Sequence, residues 1–320
     1  MAGNFWQSSH CEQWLLEKAD ILRGRAEDLK IYSEEEYHKL FSFFCTVIQT
    51  IGQDQQVGRT RMQVIATACV YFRRFYVRRS LKDIDPFLLA PTCLFLASKV
   101  EEHGMLSTNK LMSAMAQAVK KLPYQPPDLS YRIGYIHEAE FLLLEILDCC
   151  LIVYQPYRPL KQFMQDLREA NTPGLNELEQ FATRVCNDSL KTDACLLYAP
   201  HIIAMACIQF AAISLNREKE FISFFADMSI EFEKVFDVVQ QLTFLYKITI
   251  PPEDREQLKA LLGRLPKVNP TPPPPAAMVV PSGGPGLRRS KGSRPQSEEE
   301  GLTTPQFINQ LHLPPSLPAS

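Results

Sequence analysis

The chain has 320 residues, of which 46% are apolar and 22% charged, a globular composition with room for about two domains of ordinary size. A formal net charge of -2 argues against wholesale binding to a polyanion. Thirteen of the 24 prolines fall within residues 265–320, which carry a net charge of +2 and leave the preceding body at -4. The tail and the body are different kinds of chain.

The opening MAGNFWQSSH has neither a basic nor an apolar region, so no secretory signal is expected there. Ser9 with Glu12 fits a capping box and predicts an amphipathic helix over about 10–28, with Trp14, Leu15, Ile21 and Leu22 on one side. Ser33 with Glu36 fits a second box, opening a helix through Tyr37, Leu40, Phe44 and Ile48 that ends near Gly52. Met62, Ile65, Cys69, Phe72 and Tyr76 mark a third helix over about 59–78. Pro86 suits a first helical turn, and FLLAPTCLFLASKVEE after it is apolar on every face until Lys99, so this helix must be surrounded by others.

The Leu88–Pro91 quartet reappears in outline as Leu197–Pro200, 109 residues on, each copy followed by a further helix, at 131–147 and at 230–247. That spacing predicts two similar helical domains in tandem, joined within 149–159, where Pro156 and Pro159 interrupt the pattern. Ala194 to Asn216 lacks any charged side chain, yet Pro200, His201 and Gln209 make it a core helix rather than a membrane span. No sustained period-two run competes, so the body is predicted all-α. The expected limits are an N-terminal segment 1–32, a first helical domain 33–150, a second 151–250, a helical extension 251–264 and a disordered proline-rich tail 265–320.

Residues for catalysis are not found: the nucleotide-binding, metalloprotease and nucleophile-elbow motifs are all absent. Nine cysteines without a C-x-x-C pair predict reduced thiols and no zinc site, and no cofactor or metal is expected. His201 reads as a satisfied core residue, and Cys149 with Cys150 as packing. Two charges stand out by placement. Lys99 continues the row Leu88, Thr92, Phe95, and Glu140 sits in the apolar stripe of Ile133, Ile136, Leu143, Leu144 and Leu147. A carboxylate there is either bridged internally to Lys99 or stands at the rim of an apolar docking surface, and composition weighs the two evenly. Residues 55–82 hold seven basic side chains and no acidic one, Arg61, Arg74 and Arg78 among them. They suggest a patch for an acidic or phosphorylated partner segment more than for nucleic acid, given the acidic body.

IYSEEEY, VIATACVYFRRFY, SLKDIDPFLLAPTCLFLASKVEE, LDCCLIVYQPYRPL and TDACLLYAP, in this order across about residues 1–250, resemble the cyclin family, its cyclin C branch most of all. The resemblance implies two five-helix cyclin boxes and a non-catalytic regulatory subunit that binds and activates a cyclin-dependent kinase of the Mediator kinase module. Contacts with other subunits of that module, residence in the nucleus and control of RNA polymerase II transcription follow from the same resemblance, with no membrane association. By position, Lys99 and Glu140 match the family's kinase contacts, which tips the even weighing toward docking. Phe95, Leu144, Trp14 and Leu15 are expected to join them. The M-R-A-I-L substrate-docking motif of cell-cycle cyclins is absent, the corresponding helix reading EEYHKLFSFF. The alternative is a cyclin-fold transcription adaptor that binds DNA directly.

Overall fold

The computed structural model describes residues 3–120, 133–169, 174–221, 231–250 and 254–267. Among them are thirteen α-helices and no strand. The expected tail beyond 267 lies outside the described residues.

The N-terminal segment departs from its prediction. Instead of one helix it forms a 3-10 turn at Phe5–Gln7, α1 (Ser9–Gln13), an extended step, α2 (Lys18–Gly24) and a second 3-10 turn at Asp28–Lys30. The first cap is Ser8, not Ser9; its hydroxyl accepts from Cys11 N at 3.3 Å. Tertiary contacts override the helical period here. Trp14 is fully buried, and Leu16 N donates to the Leu196 carbonyl at 2.7 Å, which takes the backbone out of the helix. At the end of α2, a Cβ on Gly24 would lie 1.9 Å from the Val77 carbonyl oxygen, so only glycine allows this close approach.

The first box contains α3 (Glu34–Gln53), α4 (Met62–Arg78), α5 (Pro86–Val100), α6 (Thr108–Lys120) and α7 (Ile133–Ile146). Ser33 and Glu36 form the predicted reciprocal box, at 3.2 and 2.9 Å, on α3. Asp85 caps α5 through Phe87 N at 2.8 Å, Pro86 occupies its first turn, and every residue from Pro86 to Ser98 is buried. Neighbours on all sides explain that burial: α3, α4, α6 and α7 all pack on α5.

The second box contains α8 (Tyr157–Glu169), α9 (Leu175–Ser189), the short α10 (Ala194–Leu197), α11 (Pro200–Ser214) and α12 (Phe232–Ile248). Its central α11 repeats the design of α5: fifteen residues, a proline in the first turn, and α8, α9 and α12 packed around it. The repeat is real, but its register is not the one predicted. The helix-opening prolines Pro86 and Pro200 are 114 residues apart, whereas the LLAP match had paired Pro200 with Pro91, which lies inside α5. An all-round apolar run carries no phase, so the sequence match slid along it. No helix among the described residues is long and apolar enough to cross a membrane.

The two boxes and the N-terminal segment meet on Asp193. Arg25 of the segment donates to its two carboxylate oxygens at 2.6 and 2.7 Å, and Arg73 of α4 adds a third bond at 2.8 Å. All three side chains are buried. Burial by itself would push the carboxyl up, yet the two guanidiniums hold it below the ordinary carboxylate range. Asp28, also buried, accepts from Ser80 Oγ at 2.6 Å and from Leu81 N at 3.0 Å. The N-terminal segment is therefore bound into the fold: it supplies charges and an aromatic ring that the core uses. The helical extension, α13 (Arg255–Gly263), closes over the start of α3, with Tyr32 donating to the Leu261 carbonyl at 3.2 Å and Arg264 paired to Glu36 at 2.5 Å.

Candidate partner-docking surface

Lys99 lies in the last turn of α5 and Glu140 in the middle of α7, and these two helices pack together. Lys99 Nζ is 2.5 Å from Glu140 Oε1, with the lysine side chain 38% exposed and the glutamate 10%. The internal bridge read from the sequence as one alternative is thus present in the isolated chain. Glu140 Oε1 is itself buried, so the bridge is covered on the carboxylate side and open on the lysine side. Lys99 Nζ also stands 4.2 Å above the Phe95 ring. The pair reaches the surface through its half-exposed lysine.

Around it the predicted contacts sort into outer and inner ones. Leu144 is half-buried, within reach of a partner. Phe95 is only 1% exposed, lying beneath Lys99 and edge-on to His137 at 5.5 Å, so it supports the pair from below and is corrected to a core residue. Sequence reasoning missed Phe141, next to Glu140 and 74% exposed. Its signal was available: Phe141 falls on the helical row of Glu138 and Glu145, where an aromatic has no core to fill. A large exposed apolar ring beside a charged pair is what a docking surface needs.

Trp14 does not take part from the outside. Its ring is buried, with the guanidiniums of Arg74 and Arg78 over it at 4.8 and 4.3 Å, while Leu15 is half-buried. The amphipathic helix that was to present Trp14 to a partner is broken at that residue, and the ring turns inward. The arginine patch is corrected for the same reason. Arg74 is fully buried, donating to the Cys150 carbonyl at 3.3 Å, and burial lowers its pKa to about 10. Arg78 is paired to Asp148, and Arg61 donates to the Glu101 carbonyl at 2.8 Å. Within the basic stretch Arg73 and Arg74 became internal struts, while Arg61 and Arg78 stay exposed and are each engaged by an acceptor within the chain.

His201, expected in the core, is half-buried at its edge with Trp6 tilted over it at 5.5 Å. A cleft of about 310 Å3 opens between α2, α3 and α12, lined by Leu22, His38, Phe244 and Ile248 among others. Its cations are matched locally, Lys18 to Asp237, Lys191 to Asp188 and Arg25 to Asp193, so no net charge there selects a ligand. No cluster of metal-ligating side chains occurs among the described residues.

Comparison with known proteins agrees with this architecture. Residues 42–152 match the family model described as the cyclin N-terminal domain, and residues 155–247 that of the cyclin C-terminal domain. The chain is 48% identical to Cyclin-C of Drosophila melanogaster over 86% of its own length and 99% of the relative's. It is 46% identical to Cyclin-C of Rattus norvegicus over 86% and 93%. Among solved structures, a chain of the Chaetomium thermophilum CAK complex bound to ATP-gamma-S superposes with a TM-score of 0.61 at 22% identity, covering 82% of this chain and 87% of that one. A chain of the yeast TFIIK complex superposes at 0.54 and 26% identity, covering 74% and 98%. With both boxes matched in order and relatives aligned across most of their length, the chain belongs to the cyclin family, as a regulatory subunit of the cyclin C type.

Proposed function

We infer that this chain is the cyclin partner of a cyclin-dependent kinase in the Mediator kinase module, acting in the nucleus on transcription by RNA polymerase II. The observation that carries the reading is the outer end of the α5–α7 pair, where the half-exposed Lys99, bridged to Glu140, stands beside the exposed Phe141. The reading is supported by the match, at 26% identity, to a chain of the yeast TFIIK (Kin28/Ccl1/Tfb3) complex. Kinase activation requires the glutamate of the kinase αC helix to pair with the ATP-orienting lysine. A rigid face that binds αC only in that position shifts the kinase toward the active state, because binding free energy is released there alone. The buried, many-sided anchoring of α5 supplies the rigidity. The cyclin itself performs no chemical step.

Direct DNA binding, the other reading of the sequence, loses its main support, since Arg73 and Arg74 of the basic stretch are fully buried. Affinity purification of the full-length chain, with identification of the co-purifying kinase and Mediator subunits, tests the proposal. Recovery of a cell-cycle or other non-Mediator kinase in place of the Mediator one would overturn it.

A further inference from the structure

Residues 146–151 form the turn by which α7 leaves the first box, and α4 grips that turn from one face. Tyr71 donates to the Leu151 carbonyl at 2.6 Å, Arg74 to the Cys150 carbonyl at 3.3 Å, and Arg78 to the Ile146 carbonyl at 3.2 Å and to the Asp148 carboxylate. These three side chains lie at i, i+3 and i+7 of one helix, so they share a face. The turn needs holding: Asp148 and Cys149 are consecutive non-glycine residues with φ of +50° and +54°, a conformation that persists only where its surroundings over-determine it. The N-terminal segment joins the same grip. Trp14 lies under the Arg74 and Arg78 guanidiniums, and Gln13 Oε1 accepts from Cys150 Sγ–H at 3.0 Å.

We propose that Arg78, stacked on Trp14, is a positioning residue for the docking face of α7, so that the N-terminal segment tunes kinase affinity without touching the kinase. The inference rests on the docking reading above and gives the segment a role which direct contact by the buried Trp14 cannot. Arg78 holds the carbonyl of Ile146, the last residue of α7, and Phe141 lies five residues earlier, about 7.5 Å along the axis. At that range the anchored end sets the axial height and rotation of the helix, and with them the direction in which Phe141 and Glu140 point. Arginine suits the task, since its planar fork reaches a carbonyl and a carboxylate together while the same plane lies on an indole. A lysine would keep the charge and lose the stack.

The test uses the full-length chain and the kinase that co-purifies with it, measuring affinity and melting temperature for each variant. Asp148→Ala removes an anchor whose side chain is 55% exposed, leaving the core untouched, and Arg78→Lys removes the planar stack. Each is expected to weaken kinase affinity three- to tenfold, Arg78→Lys with little change in melting temperature and Asp148→Ala with a modest fall, since alanine tolerates a positive φ less well than aspartate. Trp14→Leu is expected to do the same at some cost in stability. A double-mutant cycle with Phe141→Ala separates positioning from simple packing. In the Phe141→Ala background the further loss from Asp148→Ala or Arg78→Lys should shrink below twofold, because the face they orient has lost its anchor. Fully additive losses, or a fall in melting temperature with affinity unchanged, would overturn the proposal. Unchanged affinity in Phe141→Ala alone would overturn the docking reading, and this proposal with it.

Discussion

Asp193 and Glu140 are both carboxylates set among apolar helices beside a cation, and the molecule treats them differently. Asp193 lies where the N-terminal segment and both boxes meet, and both its oxygens are bonded, by Arg25 and Arg73. Glu140 lies near the outer edge of one box and is held by one half-exposed lysine. A buried carboxylate bonded on both oxygens is costly to break and out of a partner's reach. A pair at an edge contributes little to folding and keeps its lysine accessible for binding. Position and accessibility, rather than charge, separate a structural ion pair from a docking one.

The largest effect expected from this contrast is on the buried side. Asp193→Ala leaves two buried guanidiniums without their counter-charge, and should cost about 3–5 kcal/mol in denaturant unfolding. Asp193→Asn, which still accepts hydrogen bonds, should cost less. Deleting residues 1–30 removes Arg25, Trp14 and Asp28 together and should destabilise at least as much; a well-folded deletion variant would show that the segment is an appendage after all. Because the Asp193 carboxyl is held below its unfolded value, its stabilisation is complete above the ordinary carboxylate range and drains away as pH falls through and below it.

On the edge side the expected loss is in binding. Lys99→Glu and Glu140→Lys should each weaken the kinase complex by about 2–5 kcal/mol, at least thirtyfold, while the melting temperature of the free chain falls modestly. The double reversal restores the internal bridge. If the pair is a docking element, that double variant regains stability and stays deficient in binding. Recovery of both properties would mean that the bridge acts only within the chain.

A third contrast is with His10, a buried group with no counter-charge. Burial, aided by Arg74, lowers its pKa to about 3, and Nδ1 accepts from Tyr154 N at 3.1 Å. A histidine whose folded pKa is depressed contributes fully above its unfolded value, about 6.5, and its contribution is lost as pH falls below that. Unfolding free energy should therefore decline on acidification from pH 6.5 toward 3, by about 1 kcal/mol per unit from this group. His10→Asn, measured by denaturant titration across that range, should show a shallower slope; an unchanged slope would place the titration elsewhere. The smallest effect is expected from the tail. Truncation after Lys267 retains the Arg264–Glu36 pair and should leave kinase activation unchanged in a reconstituted assay, and loss of activation would give the tail a function beyond the cyclin fold.

Much of the local structure was legible. The capping box at Ser33 and Glu36, the proline opening α5 and the all-round apolar run after it are short-range signals, and each appears where it was expected. Glu140 was found because a carboxylate in an apolar stripe violates the helical pattern, and patterns are visible in one dimension. Phe141 was overlooked although it breaks the same pattern in the opposite sense. Trp14 and Arg74 misled because each fits a surface reading by type, an aromatic on an amphipathic helix and a cation in a basic run. In the fold they pack on one another in the interior, ring against guanidinium.

The sequence by itself determined that this chain is helical, that it is built of two related units, and which helices are buried on every face. Those properties follow from periodicity, capping and composition, which act over a few residues. Only the tertiary structure decided the break at Trp14, the register of the repeat, and the sorting of charges into the saturated Asp193 cluster and the open Lys99–Glu140 pair. Arg25 and Asp193 are 168 residues apart in the chain, and Lys99 and Glu140 are 41. Whether a charge is spent or available depends on what the fold brings within 3 Å of it, and no local pattern encodes that.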